Sequence, residues 1–62
     1  DLFFAFPAKG YYGLFLEVKT KGGTKDKEQE IVCEELNALG YKAVFCWTYA
    51  EGIEIVDEYF KK

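Results

Sequence analysis

Residues 14–19 read Leu-Phe-Leu-Glu-Val-Lys, and this stretch decides the expected fold. In its second half apolar and charged residues alternate with a period of two, which is typical of a half-buried β-strand. Alternate side chains of a strand point to opposite faces. The expected core face carries Leu14, Leu16 and Val18, and the opposite face carries Phe15, Glu17 and Lys19.

The segments on either side of this strand extend the pattern. Leu2 to Phe6 is a short apolar run that ends at Pro7, which predicts another strand. Ala8 to Gly13 contains two glycines and predicts a hairpin loop centred near residues 9 and 10. We therefore expect an antiparallel hairpin made of the first two strands.

Two helices and a third strand are predicted after a Gly-Gly loop at residues 21–25. The first helix begins at Asp26, whose side chain and that of Gln29 have the spacing of a capping box, and it ends at Gly40. Residues 41–47 form a nearly continuous apolar run, which predicts a strand buried on both faces. A second capping box, Thr48 with Glu51, begins the last helix. The expected apolar stripe of the first helix is Val32, Leu36 and Leu39, with Cys33 beside it. That of the second helix is Ile53, Val56 and Phe60, broadened by Ile55 and Tyr59.

The predicted element order is β-β-α-β-α, and residues 1–62 form one α/β domain with a mixed sheet. The helix before the third strand acts as a crossover, so that strand should run parallel to a neighbour. Half of the 62 residues are apolar and 19% are aromatic, which allows a small core and argues against disorder.

Charge and cysteine content limit the possible functions. The net charge of −3 argues against general nucleic-acid binding, but Lys19, Lys21, Lys25 and Lys27 make one region basic. Two cysteines without a histidine exclude a zinc site and favour buried, reduced thiols, hence a reducing, intracellular compartment. No apolar run reaches the roughly 20 residues of a transmembrane helix, so no membrane partner is expected.

The hairpin brings polar residues together at the end far from its loop. Asp1 is expected opposite residues 17–19, so that Asp1, Glu17 and Lys19 meet on one surface patch. Two carboxylates suit a hard cation such as Mg²⁺, with the carbonyl of Val18 as a further ligand, and a nearby amine suits phosphodiester hydrolysis. The alternative is that Glu17 and Lys19 are a polar pair at a strand end.

The same residues, with others along the chain, resemble a nuclease family. The resemblance rests on Asp-Leu-Phe-Phe at 1–4, on Gly-Leu-Phe-Leu-Glu-Val-Lys-Thr at 13–20 and on Asp-Lys-Glu-Gln at 26–29. It continues through Leu-Gly-Tyr at 39–41 and the strand that follows. The chain resembles the virus-type replication-repair nuclease (VRR-NUC) domain of the PD-(D/E)XK superfamily. The family domain normally starts with a glutamate-bearing helix and a further strand, and neither precedes Asp1.

The resemblance implies roles for individual residues. Asp1 and Glu17 would be metal ligands for Mg²⁺ or Mn²⁺, Lys19 the catalytic lysine, and Gln29 an accessory residue unless it serves only in the capping box. Lys21, Lys25 and Lys27 would bind DNA phosphates, although a solvated loop explains them equally well.

The resemblance also implies the activity and the partners. The expected function is a homodimeric endonuclease cutting branched DNA, similar to a phage Holliday-junction resolvase. The resemblance places it in the cytoplasm of a bacterial or phage-infected host. A catalytically inactive nuclease-fold module for dimerisation or DNA docking is the alternative.

Overall fold

The computed structural model describes residues 2–19 and 27–62 and is a small mixed α/β domain. A three-stranded sheet is flanked by two helices, in the predicted order β-β-α-β-α. The elements are β1 (Leu2–Phe4), β2 (Leu14–Val18), α1 (Lys27–Ala38), β3 (Lys42–Cys46) and α2 (Tyr49–Phe60). The prediction of a mixed sheet is confirmed.

Strand β2 is central in the sheet and β1 and β3 are its neighbours. β1 pairs with β2 antiparallel, with Leu2 opposite Leu16, and β3 pairs with β2 in parallel, with Phe45 opposite Glu17. The prediction that β3 runs parallel to a neighbouring strand is confirmed. The expectation that β3 is buried on both faces is wrong, because β3 lies beside one neighbour and Val44 and Phe45 are only half-buried.

The outer edge of β3 is covered locally by a side chain from α1. The Asn37 amide donates to the Ala43 carbonyl (3.1 Å), and the Ala43 N–H donates to Asn37 Oδ1 (2.9 Å). One side chain thus satisfies both backbone groups of an edge residue, as a neighbouring strand would.

The hairpin turn lies where the sequence predicts it. Ala8 and Tyr11 exchange backbone hydrogen bonds of 3.2 and 2.9 Å around Lys9 and Gly10, whose φ angles are 55° and 86°. Two consecutive residues with positive φ are characteristic of a tight two-residue hairpin turn. The first strand ends at Phe4 rather than Phe6. Between the pairs Phe4–Leu14 and Ala8–Tyr11 the first arm of the hairpin has three residues (5–7) and the second arm has two (12–13), so regular pairing is interrupted there.

Gly40 ends α1, also as predicted. The Tyr41 N–H donates to the Leu36 carbonyl and the Gly40 N–H to the Asn37 carbonyl, which together form a Schellman motif. Gly40 has φ 102°, and a Cβ at this position would lie 2.7 Å from the ring of Tyr12. Both the backbone conformation and the neighbouring ring therefore favour glycine.

The helices pack on opposite faces of the sheet. Gln29 of α1 reaches the face that carries Glu17, and Gly52 of α2 lies against Leu16 and Cys46 on the other face. A Cβ on Gly52 would lie 3.4 Å from both Cys46 Sγ and Leu16 Cδ2. These are ordinary van der Waals distances, so the packing of α2 on the sheet does not require glycine here, and its poor helix propensity is not offset by a steric need. The Thr48–Glu51 capping box at the start of α2 is confirmed.

The predicted apolar stripes on the helices are partly wrong. Val32, Leu39, Ile53 and Phe60 are all at least 40% exposed, whereas Cys33 and Tyr59, predicted beside the two stripes, are buried, as is Gly52. Periodicity locates a helical face only approximately, and here each helix covers only part of a narrow sheet. Tyr59 is 1% exposed and its hydroxyl donates to the Phe6 carbonyl at 2.6 Å, which ties α2 to the segment after β1.

Both cysteines are buried thiols. Burial, helped by the nearby Glu51 carboxylate, raises the pKa of the Cys46 thiol above its ordinary value. Neither α1 nor α2 has the length and apolar run that crossing a bilayer takes.

Candidate active site

The candidate site lies at the carboxyl end of β2, under the first turns of α1. Glu17 is 2% exposed even though the sequence predicted a surface patch on this face. The difference arises because α1 covers the face of the sheet that alternation alone assigned to solvent. A carboxylate removed from water needs compensating partners, so its surroundings decide what it can do.

Gln29 connects the two charged residues of the site. Its Nε2 donates to Glu17 Oε1, and its Oε1 accepts from Lys19 Nζ. The amide thus contacts both the acid and the amine. Asp26, the other half of the predicted capping box, lies outside the described residues.

Lys19 is held by contacts of its backbone and of its side-chain ammonium. Its backbone N–H donates to the Cys46 carbonyl at 2.8 Å, and its Nζ lies 3.5 Å from Glu17 Oε1. The Nζ also lies 5.8 Å from the centroid of the Phe45 ring, within cation–π range. With its side chain only 13% exposed, Lys19 presents its ammonium beside the carboxylate rather than to bulk water.

The second oxygen of Glu17 is the unusual atom of the site. Oε2 is buried and has no hydrogen-bond partner among the described residues, whereas Oε1 has both Gln29 and Lys19. An unsatisfied buried carboxylate oxygen costs free energy, on the order of 1–3 kcal/mol or more for a charged group. Such an atom is suited to accept a cation or a hydrogen-bond donor.

The other predicted site residues are distributed as follows. Asp1, Lys21 and Lys25 lie outside the described residues. Lys27 is exposed at the start of α1, and the Val18 side chain is half-buried on the face of the sheet covered by α2. Within residues 2–19 and 27–62 no group of three His, Cys, Asp or Glu side chains could hold a metal ion together.

Phe45 is the site residue that sequence reasoning missed. Its ring contacts Lys19 because the parallel register places it opposite Glu17. The sequence offers one signal for it. Phe45 is an aromatic residue, the fourth of the strand that follows the Glu-x-Lys strand and a helix.

Comparisons of the chain with protein-family models, with curated proteins and with solved structures give no significant match. The chemistry of the site therefore has to be argued from its own residues.

Proposed function

We propose that this chain is a metal-dependent DNA endonuclease of the VRR-NUC type, with a PD-(D/E)XK core, acting inside the cell on branched DNA. The observation that carries the proposal is Oε2 of the buried Glu17, which has no partner among residues 2–19 and 27–62, in a carboxylate that lies next to the ammonium of Lys19. A carboxylate oxygen can hold a metal ion that activates water, and a positioned lysine can stabilise the charge that develops on a phosphate.

The residues present fit a hard divalent cation. Mg²⁺ is commonly held by one or two carboxylates and keeps several waters, so a single available Glu17 oxygen is a reasonable anchor. Asp1 is the natural second ligand. It directly precedes Leu2, and Leu2 pairs with Leu16, the residue before Glu17. The Val18 carbonyl is the third proposed ligand.

When bound, the cation supplies Lewis-acid polarisation of a phosphoryl oxygen and lowers the pKa of a coordinated water. Lys19 would orient that water or offset the negative charge that develops on the phosphate. Gln29 holds the Glu17 carboxylate and the Lys19 ammonium in a fixed relation, so it acts as a positioning residue for both.

The DNA partner is proposed from the lysines that lie close to Gln29 in the sequence. Lys27 is exposed two residues before Gln29, and Lys21 and Lys25 lie in the segment that connects β2 to α1. Phosphate contacts from these lysines would make binding fall with salt concentration. The overall charge of −3 means that attraction to DNA depends on this region rather than on the whole chain.

A cleavage assay tests the proposal. Labelled four-way junction, duplex and single-stranded DNA are incubated with the protein, with and without Mg²⁺ or Mn²⁺. We expect metal-dependent cleavage, strongest on the junction, and a loss of about 10²–10⁴-fold in Lys19→Ala, as for removal of a proton-transfer or charge-stabilising group.

Lys42→Ala is the matched control. Lys42 is half-buried like Lys19, but it lies in β3 and contacts the Tyr11 ring instead of Glu17. Circular dichroism establishes that both variants fold. Cleavage without metal, or full activity in Lys19→Ala, would show that the site does not perform this reaction.

A catalytically inactive docking or dimerisation module is the second candidate. The large exposed fraction of several apolar side chains favours it, notably Leu2 (50%), Phe3 (53%) and Phe6 (63%). This candidate requires that no DNA be cut under any metal condition and that Glu17→Gln leave cation binding unchanged.

A further inference from the structure

Trp47 is a large aromatic side chain that the fold leaves partly exposed. It is the single tryptophan of the chain and lies between the end of β3 and the start of α2. Tryptophan is highly buried on average, because its ring offers a large apolar area. Trp47 nevertheless exposes 44% of its surface, so its ring does not serve mainly as part of the core.

The start of α2 gives one reason for this exposure. Thr48 is the N-cap and Glu51 the third helical residue, so Trp47 directly precedes the N-cap and Gly52 is the fourth helical residue. Side chains at these two positions often pack together as a hydrophobic staple, but Gly52 has no side chain to offer. The Trp47 N–H still donates to Glu51 Oε1 at 2.6 Å, so the backbone that carries the indole is fixed.

The register of the sheet places Trp47 beside the candidate site. The Lys19 N–H donates to the Cys46 carbonyl at 2.8 Å, so the parallel ladder continues to residue 47. By alternation Trp47 belongs with Phe45 to the face that carries Glu17. Successive positions on one face of a strand are about 6–7 Å apart, and the Phe45 ring contacts Lys19 Nζ. The indole is therefore one such step beyond the site.

Tyr49 shows that exposure alone does not define this position. It is 79% exposed, more than Trp47, but it lines the apolar groove on the face covered by α2, together with Leu16 and Asp57. The carboxylate of Glu17 lies on the opposite face of the sheet. Tyr49 is therefore a matched comparison for any role of Trp47 at the site.

Charge near the candidate site favours an anionic chain as the partner of the Trp47 ring. Four lysines lie at the end of β2 or between it and the start of α1: Lys19, Lys21, Lys25 and Lys27. The nearby Glu51 carboxylate accepts from the N–H groups of Trp47 and Thr48, so it is occupied in capping α2. Lysines that contact phosphates, beside an aromatic ring that stacks on bases, are the combination by which proteins bind single strands.

We propose that Trp47 stacks on an unpaired base of the DNA strand whose phosphate lies at Glu17 and Lys19. The inference rests on the proposed nuclease function and narrows its substrate. A base inside a duplex is stacked on both of its faces, so a side chain reaches it only where the strand is single or the base is turned out. The substrate is therefore branched DNA in which the nucleotide beside the cut is unpaired, rather than a continuous duplex.

The fluorescence of Trp47 reports this contact, because the chain has no other tryptophan. The unmodified chain is titrated with a branched DNA that carries a single-stranded arm, and with a blunt duplex of equal length, with Ca²⁺ as the cation. We expect saturable quenching of the Trp47 emission by the arm-bearing DNA and weaker quenching by the duplex. Equal quenching by the two DNAs overturns the proposal, and so does a lack of binding to either.

A cycle that removes the ring and the bases in turn tests the stacking itself. Trp47→Ala should raise the dissociation constant for the arm-bearing DNA about 5–150-fold, the range of one base–aromatic stack. Trp47→Phe keeps a stacking face and should recover most of this loss. Abasic nucleotides in the arm should weaken binding to the unmodified chain by a similar factor, but should not weaken binding to Trp47→Ala further.

Tyr49→Ala is the control and should bind the arm-bearing DNA as the unmodified chain does; circular dichroism establishes that all variants fold. An unchanged dissociation constant in Trp47→Ala, or an equal loss in Tyr49→Ala, overturns the stacking role even if the chain cuts DNA. Quenching and coupling between ring and bases, without metal-dependent cleavage, would support the Trp47 contact and contradict the nuclease. The two proposals can thus fail separately.

Discussion

The two faces of the sheet differ in what they bury. On the face covered by α2 the buried groups are apolar: Leu14 and Leu16 are at most 1% exposed, and Tyr59 places its hydroxyl on a backbone carbonyl. On the face covered by α1 the most buried strand side chain is the carboxyl of Glu17, with one oxygen lacking a partner among the described residues.

We therefore assign stability to the α2 face and chemistry to the α1 face. Apolar burial stabilises the fold, whereas a buried carboxylate with an unsatisfied oxygen lowers stability, and such groups cluster at functional sites. Substitutions on the α2 face should therefore change the free energy of unfolding, and substitutions at Glu17 and Lys19 should change binding and cleavage instead. The following variants test this separation, all at one protein concentration because association shifts apparent stability.

The largest expected effect is that of Leu16→Ala on the α2 face. Removing a fully buried leucine side chain should lower the free energy of unfolding by about 2–5 kcal/mol, which is most of what a domain of this size has. Urea unfolding followed by circular dichroism measures it. Leu39→Ala, at a residue 65% exposed, is the control and should cost under about 0.5 kcal/mol. Equal losses in the two variants would contradict the assigned core.

A smaller loss is expected for Gly40→Ala, because alanine would be strained at φ 102° and its Cβ would meet the Tyr12 ring at 2.7 Å. We expect a cost of about 1–3 kcal/mol in thermal or urea unfolding. Gly10→Ala is the matched comparison, since Gly10 also has positive φ, 86°, but open space around it. Equal losses in the free energy of unfolding for Gly10→Ala and Gly40→Ala would show that the contact with the Tyr12 ring does not matter.

Tyr59→Phe isolates one hydrogen bond on the α2 face. The ring remains, but the Phe6 carbonyl loses its donor, so a loss of about 1 kcal/mol is expected in urea unfolding. Tyr49→Phe removes a hydroxyl from a side chain that is 79% exposed and should change nothing measurable. A loss of stability in Tyr49→Phe but not in Tyr59→Phe would show that the Tyr59 hydroxyl does not stabilise the fold.

Glu17→Gln should have the smallest effect on stability. The new amide oxygen still accepts from Gln29, and Lys19 keeps Gln29 Oε1 as an acceptor. The lost attraction to Lys19 is offset because the substitution removes a buried charge whose Oε2 has no partner among the described residues. We expect a change within about 1 kcal/mol in either direction, measured by urea unfolding. A loss as large as that of Leu16→Ala would make Glu17 a structural residue.

Local chemistry explains which parts of the fold the sequence predicts. The turn at Lys9–Gly10, the end of α1 at Gly40 and the Thr48–Glu51 capping box are all correctly placed, since each depends on residues within a few positions of one another. The parallel pairing of β3 also follows from a general rule about crossover helices.

Tertiary packing explains what the sequence does not predict. Val32 and Ile53 have helical spacing with other apolar residues, yet both are exposed because the helices are rotated and the sheet is narrow. Glu17 is buried because α1 crosses it, and Phe45 reaches Lys19 because of the register between β2 and β3. None of these relations is encoded in short-range spacing.

For the candidate site, the sequence predicts the residues better than their environment. Glu17 and Lys19 lie together as expected, and Gln29, for which the sequence left a capping role open, contacts both of them. Asp1, expected beside them, lies outside the described residues. The burial of the site, and the lack of a partner for Oε2 within residues 2–19 and 27–62, could not be predicted, since they depend on how closely α1 approaches β2.

Cation binding at Glu17 tests the central claim most directly. Mn²⁺ is titrated into the unmodified chain, Glu17→Gln and Glu54→Gln, and free Mn²⁺ is followed by electron paramagnetic resonance. Glu54 is exposed on α2, so the control makes the same change of charge away from the site. We predict saturable binding that is at least tenfold weaker in Glu17→Gln and unchanged in Glu54→Gln; equal affinity in all three proteins would contradict the account.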